Sequence, residues 1–130
     1  MCPGDRIVLR LFILPLLVIT CLVVARSSSA ADDVFDQAVL LWDRGSYDSP
    51  MESLSAHYEK HGREVGASDL RSYALKAAGM YKQVKGDYWS TGQPVPGETP
   101  NVRRFFRAER YIDIYKTDSN LKLIISFGRR

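Results

Sequence analysis

The chain has 130 residues, 45% of them hydrophobic, and a formal net charge of +3. That length accommodates one small domain plus a targeting segment and leaves no room for a multidomain array. No internal repeat or low-complexity tract is visible, which excludes solenoid and fibrous architectures.

The N-terminus differs from the rest. Arg6 and Arg10 precede the apolar run Leu11–Ala25, which ends in Arg26-Ser-Ser-Ser-Ala-Ala. A positive flank, an apolar stretch and small residues mark a signal peptide over residues 1–30, with cleavage expected after Ala30. The run is short of the ~20 apolar residues that a spanning helix needs, so a retained anchor is the lesser reading. The protein is expected to be secreted or periplasmic, with no membrane attachment once the leader is removed. Cleavage would remove Cys2 and Cys21, so the single domain of residues 31–130 must rest on its core and hydrogen bonds without a disulfide. It would also remove Arg6, Arg10 and Arg26 against Asp5, leaving 15 basic and 14 acidic residues. That balance is uneven: residues 101–130 carry eight basic against three acidic side chains, or +5. An electropositive terminal module favours a polyanionic partner, although solvated charges also keep strand edges from aggregating.

Asp32–Arg44 reads as a first helix, with Val34, Phe35, Ala38, Leu41 and Trp42 as its apolar stripe and Gly45 as a cap. A second helix runs from about Met51 to Val65 after Pro50, with the stripe Met51, Leu54, Tyr58, His61 and Val65. It carries both histidines, His57 and His61, four residues apart and therefore on one face. The stripe puts His61 on the core side and leaves His57 flanking it. Histidine is the side chain whose ordinary pKa lies near neutrality, so this helix is the first candidate for acid–base chemistry. Gly62 within it costs about 1 kcal/mol relative to alanine and implies a close approach by another group. Ser68 is the expected N-cap of a third helix, Asp69–Val84.

Residues 86–100, rich in glycine and proline and holding Trp89, form a long irregular loop between a helical and a strand half. Val102–Arg107 is a short strand. Tyr111, Asp113 and Tyr115 share one face of the next, Thr117–Asn120 is a turn, and Leu121–Phe127 returns. Strict alternation puts Leu121, Leu123, Ile125 and Phe127 on one face, and Lys122, Ile124 and Ser126 on the other. The fold class is α+β: N-terminal helices followed by a small antiparallel β-sheet.

The run His57-Tyr-Glu-Lys-His61-Gly62-x-Glu64-Val-Gly66, followed by Ser68 and Tyr73, resembles a pattern common in bacterial toxin nuclease domains. Arg110-Tyr-Ile-Asp-Ile-Tyr, a turn, and Leu-Ile-Ile-Ser126-Phe-Gly-Arg129 resemble the closing hairpin of those domains. The family is the barnase–EndoU–colicin–RelE-like (BECR) group of metal-independent ribonucleases, and the likeness covers roughly residues 54–130. It implies a BECR or colicin-D-like fold and hydrolase-type cleavage of RNA, often tRNA, by transesterification through the 2′-hydroxyl. Such chemistry needs a base, a cation for the phosphate and an acid for the leaving oxygen. The resemblance assigns His57 or His61 as acid or base, Arg110 or Lys116 together with Arg129 as phosphate ligands, and Ser126 as the hydroxyl of the last strand. It implies no cofactor, an RNA partner, an inhibitor protein that protects the producer, and a monomer. The proline that often closes the family hairpin is missing here, and toxins of this type usually sit at the end of a long delivery protein, whereas a signal peptide is what is expected before this domain.

Read without the resemblance, the same residues keep plainer alternatives. His61 on an apolar stripe also suits a hydrogen-bonded core residue. Histidines four apart can share a metal ion, but no third ligand follows by local spacing and this is not a His-Glu-x-x-His pattern. Arg103, Arg104 and Arg107 interleave with Phe105 and Phe106, and with Lys116, Lys122 and Trp89 they form a candidate RNA-binding set. The same pattern serves a sheet whose aromatics are core and whose cations are solvated. A non-catalytic secreted module that binds a partner protein or an anionic polymer is the competing function. The nuclease reading expects the imidazoles of the second helix and the guanidinium groups of Arg110 and Arg129 to meet around one cleft.

Overall fold

The computed structural model describes residues 30–130. The expected leader falls outside the described residues except for Ala30. Among the described residues, no helix is long and apolar enough to cross a membrane. Residues 34–130 form one compact unit.

Three helices come first: α1 (Ala30–Leu40), α2 (Pro50–His61) and α3 (Leu70–Val84). A 3-10 turn, Trp89–Thr91, leads into the strands β1 (Gln93–Pro94), β2 (Val102–Arg107), β3 (Arg110–Lys116) and β4 (Lys122–Arg129). The strands pair antiparallel in the order β1-β2-β3-β4. This is the α+β arrangement read from the sequence.

Helix α1 stops four residues short of the expected Arg44 because its continuation has other backbone partners. Ile124 of β4 donates to the Leu41 carbonyl (2.7 Å) and accepts from the Asp43 N–H (2.9 Å), so Trp42 bridges β4 along its outer edge. This covers an edge that would otherwise be open to aggregation, and it seats Trp42, 1% exposed, in the core. Helix α2 starts at Pro50 with the Ser49 hydroxyl accepting from the Glu52 N–H (3.2 Å), a regular N-cap. It ends at His61, earlier than the expected Val65. Gly62 is its cap, and a Cβ there would sit 2.6 Å from the Tyr58 ring, which is the close approach that this glycine implies. Helix α3 is capped by Asp69, whose carboxylate accepts from Ser72 N–H at 2.7 Å, and not by Ser68.

The sheet has one face against the helices. Phe105, Ile112, Ile114, Ile124 and Phe127 lie there, packed with Trp42, Leu54, Tyr73, Ala74 and Ala77. Tyr73 stands between Trp42 (ring centroids 5.9 Å apart) and Phe127 (5.5 Å), and its hydroxyl donates to the Phe127 carbonyl. Burial raises the pKa of that hydroxyl, keeping it neutral and a donor.

Two departures from strict alternation shape the rest. The loop expected over residues 86–100 contains β1, a two-residue edge strand on which Pro94 is tolerated because its missing N–H faces no partner strand. Gly92 admits it, since a Cβ there would lie 2.7 Å from the Phe105 ring. The second departure is a bulge between β3 and β4: Asp113 pairs with Ser126 but Ile114 pairs with Ile124, so Ile125 is the extra residue. The bulge sends Ile124 and Phe127 to the same buried face, where alternation had put them on opposite faces. It also turns Ser126 to the face that Tyr111 and Asp113 share.

Candidate active site

The face of the sheet turned away from the helices carries Arg104 on β2, Tyr111 and Asp113 on β3, and Ser126 on β4. Asp113 is only 4% exposed, and a buried carboxylate requires a partner. Arg104 supplies it through two parallel bonds, Nε to Oδ1 at 2.7 Å and Nη2 to Oδ2 at 2.9 Å. These bonds raise the pKa of the guanidinium, which stays charged at any working pH. They also fix its plane over the Tyr111 ring, with Cζ 4.2 Å from the centroid, leaving Nη1 uncommitted.

Tyr111 links this face to the histidines. It pairs across β4 with Gly128, where a Cβ would lie 2.9 Å from the tyrosine ring and hydroxyl. The glycine therefore lets the ring lie across β4 toward its edge, where helix α2 runs. There Tyr111 meets His61 edge-on at 6.3 Å between centroids, and its hydroxyl shares a 3.2 Å hydrogen bond with Ser126 Oγ. His57 stacks on His61 at 6.3 Å with the ring planes 24° apart.

Each imidazole is held through Nδ1. His57 Nδ1 lies 2.8 Å from the Ser53 carbonyl, which only accepts, so this nitrogen carries the proton and Nε2 carries the lone pair. His57 also packs on Trp42 (5.5 Å) and Tyr47 (6.5 Å). Burial outweighs the other influences and lowers its pKa below the ordinary 6.5, so the ring is neutral at neutral pH. The stripe argument had made His57 the flanking residue; Trp42 encloses it because the chain leaves α1 early. His61 Nδ1 lies 3.1 Å from Glu64 Oε2, and the Arg129 backbone N–H donates to the same oxygen at 3.3 Å. Glu64 thus orients His61 from the first turn beyond α2.

Tyr111 thus meets His61, Ser126 and Arg104, and His57 joins them through its stack on His61. Arg110 is not among them. Its place two residues before Ile112 puts it on the helix side of the sheet, where it donates to the Val65 carbonyl at 3.1 Å and lies 6.0 Å from the Phe127 ring. The Arg129 side chain turns to Glu109 at 3.2 Å, so only its backbone reaches the histidine region. The expected meeting of imidazoles with these two guanidinium groups is thus replaced by Arg104, and the reason is strand parity: Arg104 is one residue from Phe105 on the core side, while Arg110 shares that side.

The remaining candidates are spread over other surfaces. Arg103 donates to the Gly92 carbonyl at 3.2 Å, and Arg107 pairs with Asp87 and the Phe106 carbonyl. Lys116 lies over the Trp89 ring at 4.9 Å, and Trp89 packs on Phe105, so both serve the packing of the 86–100 segment. Lys122 caps helix α3 at the Lys85 carbonyl, 3.1 Å away. Glu64, Tyr111 and Asp113 escaped the candidate set. The three-residue step from His61 to Glu64 and the shared strand face of Tyr111 and Asp113 were the available signals. No three His, Cys, Asp or Glu side chains among the described residues are grouped to hold a metal ion. No protein-family model, curated protein or solved structure matches the chain.

Proposed function

We propose that the protein is a metal-independent endoribonuclease, exported by its leader and toxin-like, that cleaves RNA through its own 2′-hydroxyl. The observation that supports this reading above all is the chain of contacts that runs from two stacked, Nδ1-anchored imidazoles, with Nε2 left over on each, through Tyr111 to the Ser126 hydroxyl and a fixed guanidinium. His57, held neutral by burial, takes the proton of the 2′-hydroxyl on Nε2. The 2′-oxygen then attacks the adjacent phosphorus, the bond to the 5′-oxygen breaks, and a 2′,3′-cyclic phosphate forms. His61 donates the proton that the leaving 5′-oxygen takes up, with the Glu64 carboxylate as counter-charge to the imidazolium. Arg104 Nη1 and the Tyr111 and Ser126 hydroxyls face the phosphate oxygens on which charge accumulates. Asp113 does not oppose the phosphate, because its charge is already shared with Arg104.

Cleavage of total tRNA in EDTA, followed from pH 5 to 8, tests the reading. Wild-type protein is expected to cut. The His57→Ala/His61→Ala double variant should retain its circular dichroism and lose activity by about 10²–10⁴-fold or more. Absence of cleavage by wild-type protein would remove the nuclease and leave a binding module for a partner protein or anionic polymer.

A further inference from the structure

Tyr88 has no packing role, although tyrosine usually buries its ring. It is 82% exposed, and the other large hydrophobic side chains exposed among the described residues are aliphatic. Its neighbour Trp89 turns inward onto Phe105, so the pair divides into one packed and one free aromatic. The backbone under Tyr88 is nonetheless pinned. Its carbonyl accepts from the Thr91 N–H at 3.0 Å and from the Thr91 hydroxyl at 2.7 Å, which fixes the start of the 3-10 turn. An exposed ring on a fixed backbone loses little entropy when it stacks on a ligand.

That ring lines a cleft of about 520 Å³ together with Thr91, Gln93, Arg104, Phe106 and Arg107, a size within the roughly 300–1,000 Å³ of ligand sites. Arg104 belongs both to this cleft and to the histidine site, where it covers Tyr111. Arg104 therefore links the cleft to the histidine site. Asp87 also lines the cleft, and its carboxylate is paired with Arg107, so it does not repel an anion as a free charge would.

We infer that this cleft is a nucleotide subsite of the ribonuclease proposed above, in which a base of single-stranded RNA next to the scissile step stacks on Tyr88 while Arg107 faces the backbone phosphate one step beyond the one that Arg104 faces. Thr91 and Gln93 offer side-chain donors and acceptors to the base edge. The subsite binds RNA one step beyond the cleaved bond; apart from Arg104, which it shares with the histidine site, it touches no reacting atom. Because stacking reads a π-face, it takes any of the four bases with similar strength.

The test compares kcat/KM on a dinucleoside monophosphate, which fills the histidine site alone, with kcat/KM on an eight-nucleotide single-stranded RNA. Tyr88→Ala is expected to raise KM for the octamer about tenfold, as loss of one stacked base does, with the dinucleotide unaffected; Tyr88→Phe should behave as wild type. An octamer KM unchanged in Tyr88→Ala, or an equal loss on both substrates, would overturn the subsite while leaving the ribonuclease intact. A wild-type protein that cuts neither substrate would overturn the ribonuclease reading, and the subsite with it.

Discussion

The two faces of one sheet are built by opposite rules. On the helix side, Phe105, Ile112, Ile114, Ile124 and Phe127 are buried against Trp42 and Tyr73, and the one polar bond among them, Tyr73 hydroxyl to Phe127 carbonyl, is neutral. On the far side, Arg104, Tyr111, Asp113 and Ser126 form a chain of ionic, cation–π and hydroxyl contacts, and the chain ends at two histidines. The first face stabilises the molecule through apolar area removed from water. The second holds a desolvated charge, which burial alone would oppose. Arg104 and Arg110 make the contrast local: both are half-buried residues of the same hairpin, yet one is fixed over Tyr111, which meets His61, and the other ties down the turn after α2. A buried ion pair that adds little to stability, set beside two imidazoles, is better explained by positioning than by folding.

The sharpest way to break this contrast is to remove each arginine in turn. Arg104→Met leaves the buried Asp113 without its partner and should cost about 3 kcal/mol in urea unfolding; adding Asp113→Asn should recover most of the loss in stability but none of the loss in RNA cleavage. Arg110→Met gives up one bond to a carbonyl and should cost about 1 kcal/mol, with cleavage intact. Equal effects of the two on cleavage would dissolve the distinction between the faces.

Next in size is the pH dependence set by His57. Its folded pKa lies below the ordinary 6.5, so in acid the unfolded chain binds a proton that the folded chain refuses. Stability should therefore be full above pH 6.5 and decline as the pH falls below it, levelling off once the folded ring also protonates. His57→Gln should flatten that part of the profile in urea melts at pH 5 and 8. An unchanged slope would mean that the ring is not desolvated.

The smallest effect belongs to the hairpin that joins β2 and β3, away from both chains of contacts. Ala108 has φ +51°, a left-handed conformation that strains an L side chain. Ala108→Gly should raise stability by about 0.5–1 kcal/mol in the same urea assay, with no change in cleavage.

Much of the helix-side face was legible in the amino-acid order. Spacings of three and four place Leu54 inward, and alternation places Ile112 and Ile114 together on the face opposite Tyr111 and Asp113. The strand boundary Val102–Arg107 was also read correctly. The far face was less legible because one inserted residue decides it. Alternation carried through Leu121–Phe127 sets Ser126 beside Ile124, whereas the bulge at Ile125 sets it opposite Asp113. No local pattern announces a bulge; it follows from pairing with β3. The early end of α1 has the same origin, since Leu41 and Asp43 prefer β4 as a backbone partner to another helical turn. The apolar stripe of α2 makes His57 the more open histidine, whereas Trp42 encloses it; Trp89, a candidate for RNA contact, packs on Phe105 at the core edge, and the free ring belongs to Tyr88.

If the face carrying Arg104, Tyr111 and Ser126 binds a phosphodiester, ligand titration followed by NMR shows it most directly. A 3′-mononucleotide, the analogue of a cleavage product, should shift the imidazole signals of His57 and His61 and the ring signals of Tyr111, with Arg110 on the helix side unmoved. Shifts confined to Arg110, or no shift at saturating nucleotide, would contradict it.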